Sequence, residues 1–145
     1  LTYIQSERIL YLIINKARNN MTTSTQTVTQ ITQDPNMLTV ADVTAIRQEA
    51  LDAARSASEH HLNTVGENMY CGFAWVSIYG VKGNTKLGKT LKAAGIEQSY
   101  DKSYQIWNPS GVGTQCMWTK EVGAQAAADV FTKYGFRSYM GSRAD

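Results

Sequence analysis

The chain has 145 residues, 43% of them hydrophobic and 18% charged, with a net charge of +2. That is enough apolar material for one domain with a core, and too little charge for a disordered chain or a strongly basic nucleic-acid protein. The only cysteines, Cys71 and Cys116, lack C-x-x-C metal spacing and read as two buried thiols in a reducing compartment, since a disulfide would need neighbouring strands with both side chains on one face.

Residues 1–20 pattern as a short helix with Ile4, Leu10 and Ile14 on one side. They read as an upstream extension if the natural product starts at Met21, or else as an arm that docks on a partner subunit. The run ILYLII at 9–14 is too short to span a membrane, and no basic stretch precedes it as in a secretory signal. A cytoplasmic protein with no membrane partner is the expectation. Residues 21–38 are rich in Thr and Gln and carry one charge, Asp34. They offer little apolar surface to offset the entropy of ordering. Residues 1–38 are therefore expected to be an arm and linker, partly disordered, and 39–145 a single α+β domain.

Residues 40–62 give the strongest helical pattern. Thr39 is a good N-cap, Asp42 sits in the first turn, and Val43, Ile46, Ala50, Ala53, Ala54 and Ala57 trace one face. A face this rich in alanine lets the helix lie close to its neighbour. His60 and His61 are adjacent near the helix end, so their side chains diverge and they are read as helix-end residues rather than metal ligands. Residues 63–70 read as a loop. Cys71–Tyr79, CGFAWVSIY, is apolar, uncharged and rich in β-branched and aromatic residues, as in a central strand. Lys86–Ala94 reads as a short helix stopped by Gly95 and Ile96. Tyr104–Trp107 reads as a strand, Asn108–Gly111 as a turn, and Thr114–Trp118 as another strand. Thr119 is expected to cap a helix through Tyr134, stopped by Gly135 and Phe136. Phe136–Met140 is the last strand expected.

The order β-α-β-turn-β-α-β, with both helices ending in Gly and a large apolar residue, predicts a ferredoxin-like βαββαβ sheet with helix 40–62 packed on it. The first strand and Thr114–Trp118, the least charged, should be central. Alternation puts Gly72, Ala74, Val76 and Ile78 on one face of the first strand, and Cys71, Phe73, Trp75, Ser77 and Tyr79 on the other. Trp107, Trp118 and Tyr139 are expected to join that aromatic face. Bare aromatic surface of this size needs cover. Helix 40–62 is the first choice, then a second subunit, then a ligand with flat rings.

Two motif fragments meet at this strand. Cys71–Ile78 resembles the RNP1 motif of RNA-recognition motif domains: Gly72, Phe73, Ala74 and Val76 match, and Trp75 stands for an aromatic. Cys71 replaces the basic residue, Ile78 replaces the last aromatic, and the motif falls on the first strand rather than the third. Gly83–Thr90, GNTKLGKT, fits the pattern G-x-x-x-x-G-K-[ST] that cradles phosphates, but no Walker B strand accompanies it. The weaker form of this reading is a basic loop at a helix N-terminus that holds a phosphate or carboxylate. The candidate ligand-binding residues are Lys82, Asn84, Thr85, Lys86, Lys89, Trp75 and Tyr79. No nucleophile–base pair stands out, and no metal or cofactor is expected.

The segments CGFAWV, KGNTKLGK, IWNPSG and the terminal YGFRSYMGSRAD are together similar to a group of small proteins of tailed bacteriophages, over residues 40–145. That resemblance implies an accessory protein in the host cell. The expected function is a non-catalytic binding protein for a nucleotide, a phosphate-bearing ligand or nucleic acid, with a host protein as another partner. The alternatives are a homo-oligomeric host-interaction or structural protein, and a small enzyme acting on a nucleotide-like metabolite.

Overall fold

The computed structural model describes residues 34–67 and 70–145; the expectations for residues 1–20 and 21–33 lie outside them. Asp34–Asp145 form one unit. This unit includes residues 34–38, ahead of the boundary expected at residue 39. Pro35–Met37 make a 3-10 turn capped by the Asp34 side chain, and Leu38 enters the core.

Helix α1, Val40–Thr64, starts with a capping box: Thr39 Oγ1 accepts from the Asp42 N–H at 3.2 Å, and Asp42 Oδ2 accepts from the Thr39 N–H at 2.9 Å. It runs further than expected, into residues 63 and 64. Strand β1, Gly72–Tyr79, follows, then helix α2, Lys86–Ala93, capped by Thr85. Strand β2 is Glu97–Gln98 and β3 is Tyr104–Trp107. Helix α3, Met117–Lys133, and strand β4, Arg137–Ala144, complete the unit. Both Gly stops form: Gly95 and Gly135 take φ of 88° and 91°, and the N–H groups of Ile96 and Phe136 reach back to the carbonyls of Leu91 and Phe131.

The strands form one antiparallel sheet in the order β2-β3-β1-β4. The domain is α+β, with three α-helices among the described residues. One expected strand is absent. Thr114–Trp118 contributes a single bridge, Cys116 opposite Cys71, and Met117 already begins α3. The central pair is therefore β1 and Tyr104–Trp107, while the two-residue β2 takes the edge. Too short to show period-two alternation, β2 has no sequence signature. Thr119 does not cap α3. It lies inside the first turn, where its hydroxyl is hydrogen-bonded to His61 Nδ1 at 2.9 Å.

The helices lie on one side of the sheet. Ala74, Val76, Ile78, Tyr104 and Ile106 face them and are buried with Ala124, Ala127, Ala128 and Phe131. Helix α1 packs against α3 and α2, not across the aromatic face, so the cover expected from residues 40–62 is not there. It runs antiparallel to α3. At one end Glu49 pairs with Lys133 and accepts from the Tyr134 hydroxyl; at the other the Ser58 hydroxyl donates to the Thr119 carbonyl at 2.8 Å.

Tyr104 is fully buried, and among the described residues its hydroxyl has no hydrogen-bond partner. An unpaired buried hydroxyl costs about 1–3 kcal/mol. Tyr104→Phe is therefore expected to leave stability at neutral pH unchanged or to raise it by about 1 kcal/mol. Burial also pushes the Tyr104 phenol above its ordinary value. A raised folded value means that the stabilisation is complete below the ordinary phenol range and is lost as pH rises through the folded value. Urea midpoints at neutral and alkaline pH should thus fall more steeply for the natural protein than for the Phe variant.

Candidate functional site: the exposed aromatic sheet face

The register places the residues of the outer face. Trp75 lies opposite Trp107 on β3 and Gly141 on β4, Phe73 opposite Arg143, Ser77 opposite Gln105 and Tyr139, and Tyr79 opposite Arg137. Directly opposed residues share a face, so these side chains form one continuous surface. Phe73, Tyr79, Trp107 and Tyr139 are 37%, 39%, 54% and 57% exposed. Among the described residues no helix covers them.

Trp75 is the centre. Its indole stacks on Trp107 with ring centroids 4.7 Å apart and planes at 28°, and Phe73 meets Trp107 edge-on at 6.5 Å. A Cβ at Gly141 would sit 2.6 Å from the Trp75 ring, so the missing side chain is what lets the indole lie flat across β4. Arg143 stands over the Phe73 ring at 5.8 Å. Lys120 Nζ stands over it at 5.2 Å and donates to the Gly72 carbonyl at 2.9 Å. Further along the face, Tyr79 and Tyr139 pack at 5.9 Å. Among the described residues, carboxylates lie at the margins of the face: Glu97 on β2, Asp145 just beyond β4, and Asp101 in the turn between β2 and β3. Trp118, expected on this face, is instead in the first turn of α3, edge-on to His61 at 4.5 Å.

At the Tyr79 end the face opens into a hollow of about 400 Å³ lined in part by Tyr79, Lys82, Gly83, Gln98, Lys102 and Ser103. The β2–β3 turn walls one side. There Asp101 accepts from the Ser103 hydroxyl at 2.6 Å and from its N–H at 3.0 Å, which holds the Asp101 carboxyl below its usual range. Arg137 reaches this end too, alongside Gly80.

Of the residues singled out in the sequence, Trp75, Tyr79 and Lys82 therefore belong to one surface. Asn84, Thr85, Lys86 and Lys89 are exposed at the start of α2, in the helical layer. The GNTKLGKT loop is occupied with its own structure. Thr85 Oγ1 donates to the Lys82 carbonyl at 2.6 Å and accepts from the Gly88 N–H at 3.1 Å. Gly88 faces backbone, since a Cβ there would lie 2.3 Å from the Lys82 carbonyl. Thr90 is buried and donates to the Lys86 carbonyl. Thr85→Ala is expected to cost about 1 kcal/mol as a lost N-cap, read as a lower urea midpoint. Arg137 and Arg143 were not singled out in the sequence. The available signal was parity, because both alternate in step with Tyr139.

Fold and surface together define an α+β domain with one helix-covered sheet face and one aromatic, arginine-flanked face that no described helix covers. Comparison of the chain with family models, curated proteins and solved structures finds no match.

Proposed function

We propose that this protein binds single-stranded nucleic acid on the outer face of its sheet, without catalysis. The observation that carries the reading is the Trp75–Trp107 stack, its Trp107 ring exposed and its Trp75 ring half-buried, with Phe73 and Arg143 beside it. Aromatic rings on an open sheet accept bases by stacking, and arginine meets both phosphates and ring faces. The spacing suits a strand laid across β3, β1 and β4, with Tyr79, Lys82 and Arg137 taking its continuation. We read the topology as ferredoxin-like: the order β4-β1-β3-β2 with α2 and α3 as the two crossover helices is that of a split βαβ sheet. In that reading the RNP1-like segment lies on a central strand, as base stacking requires. An accessory role in a phage-infected host cell is the setting that the phage-like segments suggest.

The test is fluorescence anisotropy of labelled single-stranded DNA and RNA oligonucleotides titrated with the full chain at two salt concentrations. Saturable binding that weakens with salt is expected. Absence of binding at low salt would sink the reading. Light scattering that shows a dimer dissociated by Trp107→Ala would assign the face to a second copy of the chain instead.

A further inference from the structure

We propose that Cys71 and Cys116 close into an intramolecular disulfide under oxidising conditions, fastening the start of β1 to the N-terminus of α3. Cys71 lies directly opposite Cys116 in an antiparallel bridge. The flanking bonds run from the Gly72 N–H to the Gln115 carbonyl at 3.3 Å and from the Met117 N–H to the Tyr70 carbonyl at 2.8 Å. That pattern makes the cysteines a non-hydrogen-bonded pair, the class whose Cα atoms approach to about 4.5 Å and whose side chains are closest. A disulfide needs about 4.4–6.8 Å between Cα atoms and two side chains on one side, and a directly opposed pair meets both needs. Cys71 is exposed and Cys116 buried, so Cys71 is where an oxidant arrives. Cys116 is the N-cap residue of α3, held beside Cys71 by the bridge.

The oxidant is a small-molecule disulfide. The Cys71 thiolate attacks one of its sulfurs, the S–S bond breaks, and one small thiolate leaves a mixed disulfide on Cys71. The Cys116 thiolate then attacks the Cys71 sulfur and expels the second small thiolate. The protein loses two electrons and two protons, and the small disulfide leaves as two thiols. The new bond closes a loop of about 45 residues, which restrains the unfolded chain substantially. The inference stands apart from the nucleic-acid reading, since it depends only on strand pairing.

The full chain is incubated with oxidised glutathione, and separately with excess dithiothreitol, and followed by intact mass, peptide mapping and thermal unfolding. The expected result is the loss of two hydrogens per monomer, a peptide from Cys71 joined to one from Cys116, and a thermal midpoint higher by on the order of 10 °C in the oxidised form. Cys71→Ser, a change at an exposed position, should abolish both the cross-link and the rise. Only glutathione adducts, only chains joined through Cys71, or an unchanged midpoint would overturn the proposal, as would the same rise in Cys71→Ser.

Discussion

Trp107→Ala is expected to weaken binding of a single-stranded oligonucleotide by about 5- to 150-fold. Stacking of one base on an aromatic side chain is worth about 1–3 kcal/mol, and 1.4 kcal/mol is tenfold in affinity. Trp107 is the right residue to remove because it is more than half exposed on a central strand, so little folded-state packing goes with it. Its indole also braces that of Trp75, so truncation removes one stacking surface and loosens a second. The companion substitution is Arg143→Gln. It should weaken binding less at low salt and reduce the magnitude of the slope of log affinity against log salt by about 0.7, the contribution of one phosphate contact on a single strand. Anisotropy titrations across salt concentrations measure both. Equal affinity of Trp107→Ala and the natural protein would remove the sheet face from consideration as the binding surface.

Gly123→Val is expected to destabilise the domain by about 3 kcal/mol. Gly123 lies within α3 where α1 crosses it, and a Cβ there would fall 2.3 Å from the Ser58 hydroxyl, 2.9 Å from Ser110 Cβ and 3.1 Å from the Ala54 carbonyl. The hydroxyl cannot simply turn away, because it is buried and bonded to the Thr119 carbonyl. Helix propensity alone predicts the opposite sign, since a glycine inside a helix is normally a liability of about 1 kcal/mol against Ala. Close packing wins because overfilling a tight interface typically costs about 1–3 kcal/mol or more, and Val adds two carbons beyond the clashing one. Gly113→Ala is the control: nothing lies within 4 Å of its Cβ position and its φ is ordinary, so its urea midpoint should barely move. If both variants unfold at the same urea concentration as the natural chain, α1 does not pack on α3 in this way.

The aromatic sheet face and the helix interface were legible in the sequence to different depths. The alanines of α1 announced a close approach, and α3 supplied the partner with Gly123, Ala124, Ala127 and Ala128. The two-faced character of β1 was legible as well, because period two is imposed by the backbone and needs no tertiary information. Thr114–Trp118 misled, since a short apolar run has no period of its own and Met117–Trp118 serves a helix start as readily as a strand. Glu97–Gln98 was invisible for the opposite reason: two residues on an edge leave no pattern at all.

By itself, the sequence determined the local elements: the capped helix from Val40, the strand Gly72–Tyr79 with its aliphatic and aromatic sides, and the two glycine stops that end α2 and α3. These follow from caps, periodicity and positive-φ chemistry within a few residues of each site. Only the tertiary structure decided which strand sits beside β1, that α1 packs among the helices and leaves Phe73, Tyr79, Trp107 and Tyr139 exposed, and that Cys71 faces Cys116. Strand pairing and layer order depend on contacts between residues far apart in the chain, and local pattern carries no record of them.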